Sequence, residues 1–225
     1  MNLKGKKVAF MGDSISEGVG VGNWQNCYHQ RIKAQAGLAW AHVDAISGSR
    51  IAHQFAPGDN PRADLTMCGR AYNLPKDADL VVVFGGVNDY GHGDAPFGTP
   101  EDKGYGTFCG AIDHLMRYLK NTYKRVVFMT PTRCYWKADG FEYRQPSTHP
   151  LKKDGALPLI HYVNAIVDCG KKHDIPVLNL YDTLTVDPLD ADQSAQYIPD
   201  GLHFNDNGHA LLADALLAFL DGLEE

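Results

Sequence analysis

The 225-residue chain has no run of eighteen consecutive apolar residues, no Cys-x-x-Cys pair, and no internal repeat or low-complexity segment. The first absence excludes a membrane-spanning helix. The second removes the usual signatures of structural zinc and of thiol redox chemistry. Basic residues are also scarce, 21 Lys and Arg against 27 Asp and Glu, giving a formal net charge of −6. A nucleic acid or an anionic membrane surface would favour clustered Lys and Arg, so neither is expected as a partner. The short basic clusters at Lys4–Lys7 and Lys171–Lys172 read as solvated faces. The five cysteines, Cys27, Cys68, Cys109, Cys134 and Cys169, are odd in number and scattered, which suits reduced thiols in a cytoplasm. The first seven residues carry no apolar export segment, although a chain starting after a removed signal peptide would read the same way.

What is present is ordinary for a globular protein, with 44% hydrophobic and 21% charged residues. The length suits one domain spanning residues 1–225. Apolar, β-rich runs alternate with helical patterns. Strands are predicted at Lys7–Met11, Leu38–Ile46, Ala78–Phe84, Arg125–Met129 and Pro176–Leu180. Ala78–Phe84 is apolar on both faces, as buried parallel strands are. Helices are predicted at Trp24–Ala36, Gly106–Tyr123, Leu157–Lys172 and Asp206–Leu220, with a short one between the second and third strands. In the second of these, Phe108, Ile112, Leu115, Met116 and Leu119 share a face. Asn205 or Asp206 is the expected N-cap of the last. Such alternation predicts an α/β fold, a parallel sheet covered by helices on both faces, with functional loops at the carboxyl ends of the strands.

Polar clusters fall at those ends. Ser14 follows the first strand in Gly12-Asp13-Ser14-Ile15, Gly48 follows the second, Asn88 follows the third in Gly86-Val87-Asn88-Asp89, and Asp200-Gly201-Leu202-His203 precedes the last helix. Singly, each is an ordinary turn sequence. Together they hold a weak alcohol, a base and a carboxylate, the minimum set for nucleophilic acyl transfer. An imidazole ordinarily titrates near ~6.5 and is mostly neutral at pH 7 to 8, so a histidine can take a serine proton. A carboxylate three residues before His203 can reach its Nδ1 through a tight turn. The oxyanion formed on the substrate needs donors already in place, and the candidates are the Ser14 and Gly48 amides with the Asn88 side-chain NH₂.

These four blocks resemble those of the SGNH/GDSL hydrolase superfamily of small esterases and lipases, and the resemblance spans nearly the whole chain. It implies a flavodoxin-like three-layer αβα sandwich with a central five-stranded parallel sheet. It also implies Ser14 as nucleophile, His203 as base, Asp200 as its orienting partner, and Ser14, Gly48 and Asn88 as the oxyanion hole. Two departures stand out: Ser16 where many members have threonine, and Asp44-Ala45-Ile46 before Ser47-Gly48 where many carry an asparagine. The Gly-x-Ser-x-Gly elbow of α/β-hydrolases is absent.

Other groups receive plainer readings. His203, Asp206 and His209 lack a further ligand, so no metal and no cofactor is expected. Asp13 and His92 are candidates for substrate contact, as are Tyr135 and Trp136 in the aromatic segment Thr132–Ala156. The glycine- and proline-rich stretch Tyr90–Tyr105 could act as a flap. The expected reaction is hydrolysis of short acyl esters, acetyl first among them, of a polar small-molecule alcohol such as a carbohydrate. A lipase or lysophospholipase, an acyltransferase using the same residues, and a non-catalytic carbohydrate-binding protein stay open, as does homo-oligomerisation.

Overall fold

The computed structural model of the protein describes residues 1–55, 61–135, 137–138, 141–142 and 157–223. In chain order its elements are β1 (Lys7–Gly12), α1 (Ser14–Glu17), α2 (Tyr28–Ala36), β2 (Trp40–Ala45), α3 (Met67–Arg70), β3 (Leu80–Phe84), α4 (Val87–Gly91), α5 (Phe108–Thr122) and β4 (Val126–Met129). They continue with β5 (Lys137–Ala138), β6 (Phe141–Glu142), α6 (Leu159–His173), β7 (Val177–Leu178), α7 (Leu180–Thr183), α8 (Ala191–Tyr197) and α9 (Asp206–Asp221). Strands β5 and β6 form a separate antiparallel pair.

The central sheet has five strands in the order β2-β1-β3-β4-β7, and each neighbouring pair is parallel. Side chains alternate across it. Val8, Phe10, Leu80, Val82 and Val127 face α2 and α9, packing on Tyr28, Ile32, Leu212 and Leu216. Ala9, Met11, Val81, Val83 and Phe128 face α5 and α6, packing on Ile112, Leu115, Val163 and Ile166. The result is the three-layer αβα arrangement. The apolar face expected of α5 is the face it buries, with Phe108, Ile112, Leu115, Met116 and Leu119 all at 1% exposure or less. Burying each such side chain contributes about 1.5–3 kcal/mol. Packing rather than intrinsic propensity therefore holds this helix.

The structure revises several element boundaries. The expected helix from Trp24 is broken: Trp24–Asn26 is a single 3₁₀ turn capped by the Asn23 side chain, Cys27 is extended, and α2 begins only at Tyr28. The second strand starts at Trp40, because Gly37 ends α2 in the left-handed region. The fifth is only Val177–Leu178, since the Asn179 side chain caps α7 and turns the chain. Asn205, not Asp206, is the N-cap of α9, accepting the Asn207 and Gly208 amides. Tyr90 and Gly91 belong to α4, and Tyr90 is buried, so the glycine-rich loop begins after them.

Two fully buried histidines lie in the α2/α9 layer. His29 Nε2 donates to the Ser16 carbonyl at 2.9 Å, and its Nδ1 accepts from Gln30. The Tyr28 amide donates to His209 Nδ1 at 3.1 Å. Burial holds both imidazoles neutral, lowering His29 to about 4 and His209 to about 3. In the unfolded chain both take up protons near ~6.5, whereas the folded chain refuses them until much lower pH. The unfolded state thus binds more protons in that window, and stability falls as pH drops from about 6.5 toward 4. Melting temperatures measured across this range should decline less steeply in His29→Gln or His209→Gln than in the wild type; equal slopes would remove these histidines from the account.

Candidate active site

The strand order places the site. The chain leaves β1 toward β2 on one side, while β3 and β4 lie on the other, so the loops after β1 and β3 flank a topological switch point, the usual crevice of open α/β sheets. Ser14 follows β1 and Asn88 follows β3.

Ser14 is the first residue of α1, a single turn whose N-cap is Asp13. The helix crosses so close to the end of β1 that a Cβ on Gly12 would lie 2.1 Å from Ser16 Oγ. Ser16 in turn shares a hydrogen bond of 2.9 Å with the buried Tyr28 hydroxyl, so the serine that replaces a threonine is a packing residue.

Opposite α1 sits the turn before α9. Asp200 Oδ1 accepts the Leu202 and His203 amides at 2.9 and 2.6 Å, which ties the turn closed. Asp200 Oδ2 lies 2.7 Å from His203 Nδ1, and His203 Nε2 lies 2.9 Å from Ser14 Oγ. Burial alone would raise the Asp200 carboxyl, but the His203 side chain and the two turn amides outweigh it and hold it below the usual range. An ionised carboxylate can only accept. Nδ1–H therefore donates to Asp200, and Nε2 is left as the acceptor for the Ser14 hydroxyl.

Gly48 occupies the third position of the turn Ile46–Ser49, closed by Ser49 N–H donating to the Ile46 carbonyl at 3.0 Å. Its φ of +75° is the left-handed conformation that favours glycine. A Cβ there would also press on Ala63 at 3.2 Å. Asn88 Nδ2 donates one hydrogen to the Ser49 carbonyl at 3.1 Å, leaving its second hydrogen for another acceptor. The buried Asp89 carboxylate accepts the Ile51 and Ala52 amides at 2.9 and 3.0 Å, binding the loop after β2 to α4.

The remaining candidates fall in different places. Asp13, 1% exposed, accepts the Ile15 amide on its carboxylate at 3.1 Å, and burial raises it to about 7. His92 is exposed, but its Nε2 donates to Asn88 Oδ1 at 2.9 Å, which fixes which way that carboxamide points. Tyr135 donates its amide to the Gly201 carbonyl at 2.8 Å, bringing the segment after β4 against the Asp200–His203 turn. Trp136 lies outside the described residues, as does most of Thr132–Ala156.

Sequence spacing gave no hint of Arg70. Its buried guanidinium donates to the Gly12 carbonyl at 3.0 Å, Ser49 Oγ at 3.1 Å and the Leu65 carbonyl at 2.9 Å, and pairs with Asp44. One side chain thus joins the ends of β1 and β2.

Asp206 accepts from Gly22 and Asn26, and His209 Nδ1 from Tyr28. Among the described residues one group, Asp113, Cys169 and His173, is close enough to share an ion. Two ammonium groups already occupy that carboxylate, Lys172 at 2.7 Å and Lys103 at 3.3 Å. No helix among the described residues is long and apolar enough to cross a membrane.

Comparison with known proteins identifies the family and the fold. No curated protein matches by sequence. A solved structure of a protein from Lactobacillus plantarum is 29% identical, with 99% of each chain covered and a TM-score of 0.80. An acetyl xylan esterase (23% identity, 94% of this chain and 98% of that one, TM-score 0.62) shares the fold. So does an acetyl-xylooligosaccharide esterase from Geobacillus stearmophilus (18%, 100% and 98%, 0.61). The model of the GDSL-like lipase/acylhydrolase family matches residues 10–211. With most of its length inside that match, the chain belongs to the GDSL-like lipase/acylhydrolase family and is a carboxylic ester hydrolase.

Proposed function

We propose that the protein is a serine esterase that removes short acyl groups, acetyl above all, from a polar alcohol such as a carbohydrate. The observation that carries this reading is the hydrogen-bonded row Asp200–His203–Ser14. Ser14 Oγ attacks the acyl carbon as its proton passes to His203 Nε2, and Asp200 steadies the imidazolium. The carbonyl oxygen becomes an oxyanion, met by the Ser14 and Gly48 amides and by the second Asn88 Nδ2 hydrogen. Its collapse breaks the ester C–O bond, and His203 returns the proton to the departing alcohol. Water then attacks the acyl-enzyme with His203 again as base, releasing the carboxylic acid and restoring Ser14.

Two observations support the substrate class. Trp24, 47% exposed, stands beside Gly18 at the end of α1, and an exposed indole suits stacking on a sugar face. Two solved structures of the same fold are esterases of acetylated xylan and xylooligosaccharide. We read the whole chain as one hydrolase domain. A cytoplasmic setting is supported by the free thiols of Cys27, Cys68, Cys109 and Cys169.

A panel of p-nitrophenyl acetate, butyrate and octanoate with acetylated sugars tests the reading. The acetate should have the highest kcat/KM of the chromogenic series, by about tenfold or more over octanoate, and acetylated sugars should release acetate. Preference for octanoate would overturn the short-acyl assignment.

A further inference from the structure

Between α1 and the turn that carries Gly48 lies a carboxylate that the reaction sequence above does not use. Glu17 is the last residue of α1, three after Ser14. Its Oε2 accepts both the Ser47 amide at 2.7 Å and the Ser47 hydroxyl at 2.5 Å, while Oε1 accepts from Arg62 Nη2 at 2.5 Å. Burial would raise its carboxyl, but the Arg62 and Ser47 donors outweigh that and hold it below the usual range. Ser47 is bonded directly to Gly48, whose own carbonyl accepts from Arg50 Nη1 at 3.0 Å. The peptide bearing the Gly48 N–H is therefore tied on one side to the helix of Ser14 and on the other to its own loop.

From this arrangement we infer that Glu17 is a positioning residue, which sets the place of the Gly48 amide relative to Ser14. The inference rests on the proposed serine mechanism. A donor serves a developing oxyanion only when held within about 0.5 Å and 10–20° of its working geometry. Ser14 and Gly48 belong to loops after different strands, 34 positions apart, and their relative placement needs a physical tie. Glu17 supplies one that starts on the nucleophile's own helical turn. Its carboxylate touches neither Ser14 nor the substrate in the proposed mechanism, so losing it should affect the transition state more than ground-state binding.

The experiment compares Glu17→Ala, Glu17→Gln, Arg62→Ala and Ser14→Ala with the wild type, using p-nitrophenyl acetate. In Glu17→Ala, kcat should fall about 10- to 100-fold, below the ~10²–10³ loss of a whole oxyanion donor, with KM changed less than about threefold. Glu17→Gln keeps an oxygen for the Ser47 amide and should restore most of the rate. Arg62→Ala leaves the Ser47 bonds intact and should retain near wild-type kcat. Affinity for a trifluoromethyl ketone, whose serine adduct carries the oxyanion, should fall in Glu17→Ala by the same factor as kcat/KM. A merely structural role would instead lower the melting temperature and leave kcat and ketone affinity of the folded fraction unchanged, which overturns the inference, as would Glu17→Gln behaving like Glu17→Ala. If Ser14→Ala is inactive while Glu17→Ala keeps full kcat, the positioning role alone fails. If Ser14→Ala keeps its activity, the serine mechanism itself fails.

Discussion

Ser14→Ala should reduce hydrolysis of p-nitrophenyl acetate by about 10⁴- to 10⁶-fold. Under the proposed mechanism the loss is of this size because the covalent route disappears with Oγ, leaving only binding and oxyanion donors to assist water. The fold has little reason to change. Ser14 Oγ has its hydrogen bond with His203, the side chain is small, and alanine suits the first turn of a helix. The melting temperature should stay within about 2 °C of the wild type. The informative measurement is the pair of values on one preparation, kcat/KM and melting temperature. Residual activity above about 1% of wild type would remove Ser14 from the role of nucleophile.

Asp200→Asn should cost about 10⁴-fold in kcat. The two oxygens of Asp200 do separate jobs, which makes this substitution selective: Oδ1 closes the turn through the Leu202 and His203 amides, while Oδ2 receives Nδ1–H. An asparagine can keep its oxygen on the turn amides, but it then presents NH₂ to the imidazole. Nδ1 must become the acceptor, the proton moves to Nε2, and His203 offers Ser14 a donor where an acceptor is needed. Asp200→Ala should lose both functions, and so should also lower the melting temperature. If the asparagine variant retains more than about a tenth of the activity, the carboxylate is not setting the tautomer.

The legible parts of the fold were those whose cause is local. The uninterrupted apolar run Leu80–Phe84 announces a buried parallel strand, and the period of Phe108 to Leu119 announces a helix with one buried face. The Asp200–His203 turn could be read because a carboxylate three residues before a histidine needs no distant partner. Boundaries decided by a single side chain were not legible: Asn23 and Asn179 cap short turns, one delaying the start of α2 by four residues and the other ending the fifth strand two residues early. Nor could any spacing announce Arg70, whose guanidinium meets Gly12 at 58 positions' distance, or Glu17, which meets Ser47 at 30. These contacts exist only once the sheet has brought the loops together. The hydrogen bonds of Asp13 and His92 were equally invisible to spacing: one caps α1 and the other orients Asn88.

The row of hydrogen bonds joins Ser14 to a histidine 189 positions further on. A ribosome delivers the amino-terminal side first, at about 5–20 residues per second. Under the proposed mechanism, the alcohol is therefore synthesised well before its base. A growing chain that lacks the Asp200–His203 turn has no base for Ser14 and cannot follow that route.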